Sequence, residues 1–97
     1  MSDKPNEEEF YKKLKIQLLE TNTWPSEYLY KFIVLSKGSR IQKIEDLFDN
    51  SGAVINTTKS KNGKYTSVSI NVVMKHPEAV INKYIEVATN VEGVISL

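Results

Sequence analysis

In the run Lys64-Tyr65-Thr66-Ser67-Val68-Ser69-Ile70-Asn71-Val72-Val73-Met74, Val68, Ile70, Val72 and Met74 alternate with Ser67, Ser69, Asn71 and Val73. A period of two turns one row of side chains toward a core and the other toward water. This is the signature of a strand in a sheet with one covered and one open face. Immediately upstream, Lys61-Asn62-Gly63 separates it from a second β-rich run, Ala53 to Ser60. An Asn-Gly pair between two such runs predicts a hairpin.

On the N-terminal side of this hairpin, Ile41, Ile44, Leu47 and Phe48 share one helical face, and Gly52 stands where a left-handed residue would end a helix. Ser39 with Gln42 three residues later matches a capping box. The spacing predicts a helix over 40–50. Ahead of it, Tyr28 to Leu35 is aromatic and β-branched with only Lys31 charged, which predicts a central strand with Lys31 on its less buried face. On the C-terminal side, His76 as cap and Pro77 at the first helical position open a helix whose Val80, Ile81, Tyr84, Val87, Ala88 and Val91 face inward. Gly93 closes it, and Val94 to Leu97 suits a short edge strand. The order is β-α-β-β-α-β, the split βαβ or ferredoxin-like α+β arrangement. Right-handed crossovers give an antiparallel sheet of order 4-1-3-2 with both helices on one face.

A further helix precedes this unit. Glu7, Glu8 and Glu9 are followed by Phe10, Leu14 and Leu18 at helical spacing with lysines between, until Thr23-Trp24-Pro25 breaks the pattern. The 97 residues thus divide into a flexible lead over 1–8, a helix over 9–22 and a core over 27–97, one domain in all. Apolar residues make up 40% and charged residues 26%, enough for a core. A net charge of +1 provides no overall field toward nucleic acid or an anionic membrane. The absence of cysteine excludes disulfides, thiolate nucleophiles and Cys-ligated metal, and a single histidine excludes a multi-His site, so neither metal nor cofactor is expected. The acidic start is unlike a secretory leader, and no apolar stretch approaches the length of a membrane span. The expected location is cytoplasmic.

Leu18-Leu19-Glu20, Tyr30-Lys31-Phe32, Gly63-Lys64-Tyr65-Thr66-Ser67-Val68-Ser69-Ile70, Tyr84 and Val91-Glu92-Gly93-Val94 resemble the YbeD-like family over about residues 10–97. That resemblance implies a small bacterial protein of unknown function, with a ferredoxin-like fold similar to ACT regulatory domains and a regulatory or interaction role. A link to lipoate metabolism is attached to some members by name. Here the N-terminal helix is longer than in the shorter members, and the Thr23-Trp24-Pro25-Ser26 turn is added.

Two candidate sites follow. The first is the loop Lys37-Gly38-Ser39-Arg40, where helix N–H groups, a permissive glycine and two cations suit an amino acid or anion. An ordinary capped turn is the plainer reading. Arg40 with Asn71 also invites comparison with acylphosphatases, which share the architecture, although their glycine-rich phosphate loop is missing. The second is the open sheet face, with Lys31 between Ser67, Ser69 and Asn71, Thr57 and Lys59 nearby, and Tyr65 at one end. An RNA-recognition surface of the same topology would need aromatics where Ser67 and Ile70 stand. The sequence therefore points to a non-enzymatic regulatory domain that binds a protein partner or a second copy, with dimerisation through an edge strand or the open face. A small-ligand sensor at the loop is the alternative, and an acylphosphatase-like hydrolase a remote one.

Overall fold

The structure is a computed structural model that describes residues 7–97, with side chains from Glu8 onward. Seven elements follow one another: α1 (Glu7–Thr21), β1 (Ser26–Leu35), α2 (Arg40–Leu47), β2 (Val54–Lys59), β3 (Tyr65–Met74), α3 (Pro77–Asn90) and β4 (Ile95–Ser96). Of the expected flexible lead, residues 1–6 lie outside the described residues, and Glu7 and Glu8 form the start of α1.

The four strands form one antiparallel sheet of order β2-β3-β1-β4, the expected order read from the opposite edge. β1 and β3 pair over their full length, from Ser26 opposite Met74 to Leu35 opposite Tyr65. The alternation in β3 does what its period requires: Thr66, Val68, Ile70 and Val72 are buried, and Asn71 and Val73 are exposed. Tyr30, Phe32 and Val34 of β1 join them. Ile44 and Phe48, at α2, and Val80, Tyr84, Val87 and Val91, at α3, cover this core side by side.

The hairpin forms with a longer loop than a bare Asn-Gly turn. Of that pair only Gly63 takes a positive φ, +76°, whereas a type I′ turn needs two such residues. The Gly63 N–H donates to the Ser60 carbonyl at 2.9 Å, and Asn62 Oδ1 accepts from the Lys64 N–H at 3.0 Å.

α2 is shorter than the apolar spacing predicts. Phe48 and Asp49 N–H groups turn to carbonyls three residues back, and the chain leaves the helix through Asn50 at φ +60°. Phe48 still reaches the core from this turn. The expected capping box does not form. Ser39 sits at φ −103°, ψ 15° and makes no side-chain cap bond, and Gln42 bonds to Asp46 instead. An N-cap hydroxyl reaches its N–H from an extended backbone, which Ser39 lacks. At α3 the cap is as expected: His76 is extended, and its Nδ1 accepts from the Ala79 N–H at 3.2 Å. Ala88, expected inward, is exposed.

α1 packs along α3, on the helix side of the sheet. Leu18 is buried in the main core, Lys15 pairs with Glu78 at 3.7 Å, and Trp24 Nε1 donates to the Leu18 carbonyl at 3.2 Å. The peptide bond between Trp24 and Pro25 is cis. No described helix is long and apolar enough to cross a membrane.

Candidate functional site

Because α1 joins the other helices, the opposite sheet face stays bare among the described residues. Its composition follows from register. Residues directly opposite in an antiparallel pair share a face, so Glu27, Leu29, Lys31, Ile33 and Leu35 of β1 lie beside Val73, Asn71, Ser69, Ser67 and Tyr65 of β3. β2 adds Val54, Asn56 and Thr58, opposite Asn71, Ser69 and Ser67, and β4 adds Ile95 beside Ile33. The apolar members are conspicuously open: Leu29 is 56% exposed, Val54 61%, Val73 62% and Ile95 50%. Tyr65 is exposed at one end, with the Lys64 ammonium 5.6 Å from its ring centre.

Five of the seven residues read from the sequence as an interaction face therefore share it: Lys31, Tyr65, Ser67, Ser69 and Asn71. Thr57 and Lys59 do not. They stand opposite Val68 and Thr66, both buried, and so belong to the helix side. The signal was present in the hairpin. Counting outward from Asn62-Gly63 already places Thr57 opposite Val68. The same count brings in Val54, Asn56 and Thr58, which sequence reasoning missed.

The loop before α2 is held by its own arginine. Gly38 takes φ +82°, a left-handed conformation that L side chains rarely adopt. Arg40 Nη1 donates to the Lys37 carbonyl at 3.0 Å, its Nε to the Glu92 carbonyl at 3.1 Å, and its Nη2 lies 3.9 Å from the Glu92 carboxylate. The guanidinium thus ties this loop to the turn after α3. Lys37, Gly38 and Ser39 are exposed around it. Asn71 stands opposite Leu29, six residues back along β1 from Leu35, which is roughly 20 Å. Arg40 and Asn71 therefore form no joint site. Among the described residues no group of three His, Asp or Glu is placed to hold a metal ion.

A second feature was invisible to periodicity. The Tyr28 and Tyr84 hydroxyls meet at 2.8 Å across a sequence separation of 56 residues, and the Tyr30 hydroxyl donates to the Val80 carbonyl at 3.0 Å. Burial first, and the neighbouring Tyr28 second, push the Tyr30 phenol above its ordinary value. Burial and then the hydrogen bond to Tyr28 do the same for Tyr84.

The profile of a family described as "Protein of unknown function (DUF493)" matches residues 20–95, which takes in β1, α2, β2, β3, α3 and the first residue of β4. The chain belongs to the DUF493 family. The match agrees with the YbeD-like resemblance of the strand and turn residues. No curated protein and no solved structure matches the chain. The DUF493 match begins at Glu20, so nearly all of α1 precedes it. The bare face and the Arg40 loop both lie within it.

Proposed function

We propose that this DUF493 chain is a non-catalytic regulatory domain, ferredoxin-like and ACT-like in architecture, that works by pairing with a second copy of itself through the bare sheet face. The strand order and the β-α-β-β-α-β succession support the architecture, and the YbeD-like resemblance supports the kinship with ACT domains. The observation that carries the proposal is the placement of α1. With that helix on the far side, Leu29, Val54, Val73 and Ile95 remain in water on a single face, and contiguous apolar area of this kind marks contact surfaces.

Size and charge favour a second copy as the occupant. Strands of ten, ten, six and two residues span roughly 450 Å² in projection. Two such faces with their side-chain relief reach the scale of a modest specific interface, about 1,000 Å² in total. Sheets pack face to face with their strands nearly aligned. With Leu29 on a two-fold axis that reverses the strands, Lys31 of each copy falls opposite Glu27 of the other. The two charges of β1 thus complement themselves, as an isologous interface requires.

Sedimentation equilibrium of the full chain tests the proposal. A dimer is expected at micromolar to millimolar concentration. Lys31→Glu, which sets carboxylates against carboxylates, weakens it by about tenfold, and the double swap Glu27→Lys/Lys31→Glu restores it. Leu29→Asp abolishes it. A wild-type chain that stays monomeric at millimolar concentration overturns the proposal, as does a double swap no better than the single one.

A further inference from the structure

On the helix side, away from the proposed pairing face, α1, α3, β1 and β4 enclose a pocket of about 230 Å³. Phe10, Tyr11, Leu14, Tyr28, Tyr84, Ser96 and Leu97 line it, and among the described residues no lysine, arginine or carboxylate side chain does. Four of these are aromatic rings, and two, Phe10 and Tyr11, already meet edge to face at 5.6 Å. Rings that present both faces and edges accept another ring in the offset or T-shaped geometry their quadrupoles favour.

One wall is polar in a specific way. Tyr28 and Tyr84 hydrogen-bond to each other through their hydroxyls, and neither hydroxyl makes a further hydrogen bond among the described residues. Two hydroxyls joined by one bond use one of their two protons. The second O–H is an unspent donor on the pocket wall. It suits an acceptor oxygen, and the lack of a cation among the described lining residues disfavours an anionic one, whose charge would be desolvated without a partner.

We infer that this pocket binds a small neutral aromatic molecule carrying one carbonyl or hydroxyl oxygen, its ring among Phe10, Tyr11 and Leu14 and its oxygen on the Tyr28–Tyr84 pair. The volume fits. A cavity of about 150 Å³ holds benzene, so the space here takes one ring with a substituent of two or three heavy atoms. The occupant is a single-ring amide, ketone or phenol, not a nucleotide or a peptide.

The test is a series of amide-resolved NMR titrations of the full chain with benzamide, toluene and benzoate. Benzamide is expected to shift resonances of α1, Tyr28 and Tyr84, and to bind about tenfold tighter than toluene, the worth of one good hydrogen bond. Benzoate is expected to bind more weakly than benzamide. Either tyrosine alone still presents one O–H, so Tyr28→Phe and Tyr84→Phe each retain benzamide binding. The double variant loses the tenfold preference while toluene binding is unchanged. Shifts that map elsewhere, equal affinity for benzamide and toluene in the wild-type chain, or tighter benzoate each overturn the inference. The three-ligand comparison needs no variant, so it decides the matter even if the double variant misfolds.

Discussion

Tyr30 shows how one side chain couples burial to pH. Its ring lies between β1 neighbours and Phe48 with no exposed surface, and its hydroxyl reaches the Val80 carbonyl of α3. Burial therefore favours the neutral phenol of Tyr30, and of Tyr84, in the folded chain. Unfolding releases both to ionise near their ordinary value of about 10. The folded state holds more protons than the unfolded one above that pH, so stability is intact below it. It then falls by about 1.4 kcal/mol per pH unit for each tyrosine as pH rises further. Urea midpoints at about pH 8 and about pH 11 measure this slope. Tyr30→Phe is expected to cost about 1 kcal/mol at neutral pH, through the lost bond to Val80, and to halve the alkaline slope. An unchanged slope in that variant would assign the pH dependence to other groups.

At the scale of elements, Lys83 of α3 holds the end of α2. Its ammonium donates to the Leu47 carbonyl at the last residue of α2, pairs with Glu86 at 2.7 Å and stands 5.1 Å from the Phe48 ring centre. A cation at a helix C-terminus meets both orphan carbonyls and the negative end of the dipole. Lys83→Met keeps most of the apolar stem and removes the charge. It is expected to cost about 1–2 kcal/mol, read as a lower urea midpoint with an unchanged m-value. Double substitution with Glu86→Gln should cost little more, because an exposed carboxylate pair contributes little. None of this was legible along the chain, where Lys83 is one polar residue on a helix. What was legible is local: the alternation of Val68, Ile70 and Val72, the Pro77 start with its His76 cap, and the Asn62-Gly63 turn. The open face was legible as far as β3 and β1 reach, because period two fixes which residues share a side. Thr57 and Lys59 were misplaced by one step of register, which flips a whole strand. Arg40 was read as a free cation because its partner, Glu92, lies 52 residues away. Tertiary partners at that separation leave no periodic trace.

At the scale of the molecule, the two proposed sites lie on opposite sides of the sheet. α1 supplies Phe10, Tyr11 and Leu14 to the aromatic pocket and packs against α3, while the sheet face that we assign to pairing faces away from it. Removing residues 1–21 should therefore affect the two sides differently. Leu18 leaves the core, Trp24 Nε1 loses its acceptor, and Glu78 loses Lys15. A loss of about 2–4 kcal/mol from Leu18 and its neighbours lowers the thermal midpoint by on the order of 10 °C or more in a domain this small. The sheet and its α2 and α3 cover carry most of the buried side chains, so the shortened chain should still fold at low temperature. There it should pair as the full chain does, since every residue of the proposed interface remains, and it should lose both benzamide and toluene, since Phe10, Tyr11 and Leu14 are gone. Sedimentation and the same NMR titration of one shortened protein read both outcomes. A shortened chain that folds but no longer pairs would place α1 in the interface and reverse the assignment of the two faces.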